Sequence, residues 1–211
     1  MTNRRKRIFA AVWTAILLVL TMTLTGYAKT RSAYSLIGAS DEGAYVNRFF
    51  GYQLEALDGF CFQSDEELVK SGEIPADLLE DESALRKKLE AGEVYVIAYA
   101  ETKNYDSINI VVGDSGKGAD ETDRLIDEDS LNAAKTALED SGFKVDRISI
   151  DREYIAGKLR YVLNTKATIR DLTLYQKQVI LAKNGFYLCI TAASVGDDKM
   201  EQIFEKLSAV S

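Results

Sequence analysis

Histidine is absent from the 211 residues, proline occurs once and cysteine twice. Without imidazole the chain lacks the usual general base near neutral pH and the commonest metal ligand, which excludes Ser-His-Asp, Cys-His, HExxH and Cys2His2 zinc chemistry. Two cysteines are too few for a disulfide-rich miniprotein or a structural zinc site. A single proline and 14 glycines exclude a collagen-like chain, and 46% apolar with 28% charged residues excludes disorder. What remains is an ordinary globular composition with no catalytic signature, so the sequence speaks more clearly about location and architecture than about activity.

Location is written at the N-terminus. Arg4, Arg5, Lys6 and Arg7 precede an uncharged run from Ile8 to Ala28, after which charge returns at Lys29 and Arg31. The strongly apolar part, residues 8–25, has the length at which a signal peptide and a short spanning helix of roughly 20 residues coincide. Both readings hold the basic end in the cytoplasm and place everything from Lys29 onward outside it. Gly26 and Ala28 supply small residues at the −3 and −1 positions for cleavage after Ala28. Tyr27 stands where a lipobox requires Cys, which excludes a thioether lipid anchor. Residues 1–28 are therefore expected to be a signal peptide or membrane anchor, 29–43 a polar tether, and 44–211 one folded domain. Membrane contact is expected only through residues 8–25.

Removing residues 1–28 takes away four cations and leaves 22 Lys and Arg against 33 Asp and Glu, a net charge of −11. Such a balance disfavours nucleic acid as a partner and favours a soluble, monomeric exported domain. Outside the cytoplasm Cys61 and Cys189 have the redox conditions to pair. Both also sit among apolar neighbours, as buried free thiols do, and the sequence leaves these two alternatives open.

Alternation and turn chemistry give the order of elements. Residues 44–47 and 50–57 have strand character. Ser64 followed by Glu67 is a capping box opening a helix at Asp65. Pro75 opens a second helix with Leu78, Leu79, Leu85 and Leu89 on one stripe. The runs 93–102 and 107–112 are β-branched and aromatic throughout, the pattern of strands covered on both faces. Asp129 or Ser130 is expected to cap a helix ended by Gly142. From 143 to 193 four strands follow one another, turning at Ala156-Gly157-Lys158 and at the Asn184-Gly185 hairpin signal. A last helix, capped by Asp197 or Asp198, carries Met200, Ile203, Phe204 and Leu207 inward. The expected fold class is α+β, a mainly antiparallel sheet flanked by helices.

Tyr45-Val46-Asn47-Arg48-Phe49-Phe50-Gly51-Tyr52-Gln53-Leu54, then Asp58-Gly59-Phe60, resembles the opening of PsbP-like domains. These often read Tyr-x-Asn-x-x-Phe-Gly-Phe-x-Phe and then Pro-x-Gly-Trp. Leu57 stands at the Pro position and Phe60 at the Trp position. The resemblance implies an α/β/α sandwich and a bacterial extracytoplasmic member of a superfamily with no common catalytic site. From the residues themselves, Tyr45, Phe50, Tyr52 and Phe60 read as core packing at the first hairpin.

Two motifs in 113–129 fail on inspection. Gly113 and Gly118 have Walker-A spacing, but Ala119 occupies the phosphate-binding Lys position. A calcium loop from Asp114 would place Gly116, Gly118 and Leu125 where oxygen ligands are needed. The segment reads as a solvated acidic loop, with no cofactor and no metal expected. Carboxylate pairs such as Glu66-Glu67 suit helix starts better than glycosidase chemistry.

The surface feature that carries a functional expectation is basic. Residues 143–183 hold 9 Lys and Arg against 4 Asp and Glu, whereas 101–142 hold 4 against 11. Lys158, Arg160, Lys166 and Arg170 recur at even spacing on one side of a single strand. They form a candidate partner face for an acidic envelope protein or wall polymer, or a solvated sheet face paired with the acidic loop. The function expected from the sequence is an exported, noncatalytic interaction domain at the cell surface, in contact with a membrane or cell-envelope protein. The alternatives are a carrier of a small apolar ligand and a small carboxylate-dependent hydrolase.

Overall fold

The computed structural model describes residues 31–116 and 126–210. The expected signal or anchor helix and the centre of the acidic loop lie outside these residues. The described chain folds as β1 (Ala39–Asp41), β2 (Ala44–Asn47), β3 (Tyr52–Glu55), β4 (Cys61–Phe62), α1 (Asp65–Lys70), α2 (Ala76–Glu80) and α3 (Glu82–Glu90). There follow β5 (Tyr95–Glu101), β6 (Ser107–Asp114), α4 (Glu128–Asp140), β7 (Lys144–Ile155), β8 (Lys158–Ile169), β9 (Leu172–Lys183), β10 (Phe186–Val195), α5 (Met200–Glu205) and β11 (Leu207–Ala209).

The central sheet has seven strands in the order β4-β5-β6-β10-β9-β8-β7, every neighbouring pair antiparallel. A second sheet, β1-β2-β3-β11, is also antiparallel, and β11 ties the end of the chain to β3. The fold is thus α+β, as the strand and helix patterns predict. Two tight turns set the long hairpins. Ala156-Gly157 and Asn184-Gly185 hold both central residues at positive φ, the turn whose twist matches that of the flanking strands.

The centre of one face of the central sheet is apolar. Val162, Val179, Ile190, Ile110 and Ala98 stand in register across five strands, all fully buried. On this side Arg86 of α3 lies over the Phe186 ring at 4.9 Å, α5 packs on β9 and β10, and Arg160 of β8 reaches Tyr52 of the small sheet. The opposite face carries α4, which packs on β7 and whose following Gly142 lies beside Ile169.

Four expectations are corrected. The described part of the tether, 31–43, is folded in: Leu36 and Ile37 are buried, β1 pairs with β2, and the Arg31 side chain, 4% exposed, forms a 2.7 Å ion pair with Asp65. The expected second helix is two, because Asp81 leaves the helical region with φ −114 and ψ 90, ending α2 and capping Ala84 N of α3 with its side chain. The cap of α4 is Asp127, with Ser130 completing a capping box. The last helix has Lys199, not Asp197 or Asp198, at its N-cap and ends at Glu205, and Leu207 is buried from a strand instead.

Candidate functional site

The strand positions of β7, β8 and β9 follow from the Ala156-Gly157 turn. Counting back from it, Arg147 pairs with Lys166, Ser149 with Asn164 and Glu153 with Arg160. The β8–β9 register then adds Tyr175 beside Lys166 and Lys177 beside Asn164. All these side chains leave the same face, at the end of the sheet where α5 lies across β9. Between the helix and the strands is an open groove of about 700 Å³. Its strand wall presents Arg147, Asn164, Lys166, Tyr175 and Lys177, and its helix wall Asp198, Glu201 and Glu205.

Hydrogen bonds determine which charges in the groove are already used. Lys177 Nζ meets Glu153 Oε2 at 2.6 Å, and lies 5.7 Å from the centre of the Phe204 ring. Asn164 Nδ2 donates to Glu153 Oε1 at 2.7 Å and to Asp151 Oδ2 at 3.0 Å. Ser149 Oγ donates to the same Asp151 oxygen at 2.7 Å. Donation by Asn164 and then Ser149 holds the Asp151 carboxyl below its ordinary range. The carboxylates of β7 are therefore engaged within the sheet. Arg147 and Lys166 are left side by side. Arg147 reaches Asp151 only at 4.0 Å, and Lys166 packs its ammonium over the Tyr175 ring at 5.4 Å.

The four residues of the expected basic face do not form one surface. Lys158 is exposed beside the β7–β8 turn, and Arg170 lies beyond β8 in the turn to β9 with φ +54. The Arg160 guanidinium is drawn to Tyr52, donating to its hydroxyl and lying 5.8 Å from its ring centre. Only Lys166 enters the groove. Its companion Arg147 belongs to the preceding strand, and counting from the turn is the signal that finds it.

The two cysteines are free. Cys61 is exposed at the β4 edge and Cys189 is buried in β10, where burial pushes its thiol up to about 12. Among the described residues no group of three His, Cys, Asp or Glu is placed to hold a metal ion, and no helix is long and apolar enough to cross a membrane.

No protein-family model matches the sequence, and no curated protein matches it. Two of the solved structures similar to the chain illustrate the likeness. One is the solution structure of cyanobacterial PsbP (CyanoP) from Synechocystis sp. PCC 6803, at 9% identity and a TM-score of 0.47, with 83% of this chain and 96% of that one covered. The other is LpqN, described as involved in cell envelope biogenesis of Mycobacterium tuberculosis, at 16% identity and a TM-score of 0.37, with 76% and 83% covered. The likeness is one of fold, and nothing about the groove is taken from it.

Proposed function

We propose that the protein is an exported, noncatalytic binding domain that docks a segment of a cell-envelope protein in the groove between α5 and the β7–β9 strands. The observation that carries the reading is the Arg147–Lys166 pair. Like charges directly opposite each other on a hairpin are destabilising, so the pair is best relieved by an acidic group from outside the chain. The facing wall of Asp198, Glu201 and Glu205 has the opposite sign. A bound segment is therefore one that sets carboxylates against the strands and a basic residue against the helix, a pattern that gives orientation as well as attraction. Export is supported by the basic and apolar pattern of residues 4–28.

The test uses fluorescence anisotropy with a short labelled peptide carrying a Glu block followed by a Lys block. Binding should be saturable, weaken steeply with salt, and fall about tenfold, roughly 1.4 kcal/mol, in Arg147→Glu and Lys166→Glu. Lys135→Glu, on α4, should leave it unchanged. Equal binding by the reversed and parent proteins would end this reading, as would binding of polyphosphate with no binding of the peptide.

A further inference from the structure

The sheet face opposite the groove carries a polar patch in its interior. The register sets Thr165 of β8 beside Gln176 of β9, Gln178 of β9 beside Thr191 of β10, and Thr191 beside Asn109 of β6. The patch therefore runs over four neighbouring strands, about 14 Å at the usual spacing. Gln178 Nε2 donates to Thr191 Oγ1 at 3.0 Å. Around that bond, Gln178 Oε1, both amide atoms of Gln176, Thr165 Oγ1 and Asn109 Oδ1 are shielded from solvent and have no hydrogen-bond partner. The Tyr187 hydroxyl, further along β10 on the same face, is in the same position. All five residues are 5% exposed or less.

Buried polar atoms of native proteins are almost always hydrogen-bonded, so six unpartnered ones on a single sheet face point to a missing partner. The backbone makes room for this arrangement. A Cβ at Gly113 would come within 2.4 Å of Tyr187 ring atoms, so the ring lies against β6 only because that position is glycine.

We propose that this face is one wall of a binding site for a small neutral, hydroxyl-rich ligand, a mono- or disaccharide. The open valences are of both kinds. Asn109, Gln176 and Gln178 offer amide oxygens as acceptors, Gln176 offers an amide N–H₂, and the Thr165 and Tyr187 hydroxyls serve as either. A sugar hydroxyl also donates and accepts, so neighbouring hydroxyls match the two ends of one amide. No ionised side chain leaves this face within the patch; Glu101 on β5 accepts from Tyr99 at 3.2 Å, and Asp114 lies at the strand end beyond Tyr187. A charged ligand would be desolvated there without a counter-charge. An apolar cargo would leave the Gln176 amide and Gln178 Oε1 without partners. Access requires the cover of this face to open, since all five residues are almost wholly shielded from solvent.

Isothermal titration with glucose, N-acetylglucosamine, maltose and trehalose tests the proposal. Calorimetry is preferred to melting shifts because sugars raise the stability of any protein by exclusion from its surface. At least one sugar should bind with one-to-one stoichiometry, and Gln176→Met and Gln178→Met should each weaken it tenfold or more. Gln176→Met should melt at or above the parent temperature, because it removes an unpaired buried amide, whereas Gln178→Met also takes the donor from Thr191 Oγ1 and should melt slightly below it. Lys166→Glu, on the other face, should leave sugar binding intact. Failure of all four sugars to bind the parent protein overturns the proposal, as does unchanged affinity in both methionine variants. A crystal structure in which ordered waters alone bridge these atoms, with the sugars present, overturns it as well.

Discussion

Asn47 ties three stretches of chain together with one fully buried amide. Its Nδ2 donates to Leu36 O at 3.0 Å and to the Tyr45 hydroxyl at 2.8 Å, and its Oδ1 accepts from Phe50 N at 2.9 Å. Tyr45 in turn donates to Ile37 O. Asn47→Ala strands the Phe50 N–H and the Leu36 carbonyl away from water, and should cost of order 3 kcal/mol in urea unfolding. Glu73 is the opposite case, a carboxyl that the fold disfavours in its charged form. Burial raises its pKa above the ordinary value near about 4.3. Its contribution to stability is therefore fully present below the unfolded pKa and is lost as pH rises through the higher folded value. Glu73→Gln should melt above the parent protein at neutral pH and together with it near pH 3. Coincident melting curves at neutral pH would contradict this account.

Helix ends show both where local sequence and structure agree and where they part. Ser64 and Glu67 form the expected capping box, with Ser64 N donating to Glu67 Oε2 at 2.7 Å. Asp81 does two jobs that its sequence context does not announce, since its N–H closes α2 while its carboxylate accepts from Ala84 N at 2.9 Å. Asp81→Ala should cost about 1 kcal/mol, read as a lower urea midpoint at unchanged slope, and Asp81→Asn should recover most of it. A larger loss would mean that the α2–α3 corner carries tertiary strain beyond the cap. The strands were legible for a related reason. Each of the four from β7 to β10 is bounded by a two-residue turn or a glycine and filled with alternating or continuous apolar residues, which are signals read within a few positions. The single helix expected after Pro75 fails because the leucine stripe continues through Asp81 and periodicity is blind to one residue leaving the helical region.

The whole molecule depends on a segment that composition marks as a tether. Residues 31–43 are small and polar on average, yet Leu36 and Ile37 are buried, Leu36 N donates to Glu82 Oε2, and Arg31 Nη2 donates to Ile97 O at 3.0 Å. A chain beginning at Ala44 loses all of these and should be less stable than one beginning at Arg31 by roughly 3–6 kcal/mol from the two apolar side chains alone. Urea unfolding of the two chains decides it, and equal midpoints would restore the tether. By itself the sequence determined what near neighbours encode: the capping box at Ser64, the Asn184-Gly185 hairpin and the α+β class. Only the tertiary structure decided which charges share a surface. Arg160 leaves the basic row for Tyr52, 108 positions away, while Lys166 gains Arg147 from the preceding strand and a facing acidic wall from α5. Likewise, Gln176 and Gln178 are ordinary polar residues in the sequence, and only the tertiary structure removes them from water with the Gln176 amide and Gln178 Oε1 unpartnered. Periodicity tells which side of a strand a residue leaves from, but what meets it there is contributed by distant chain.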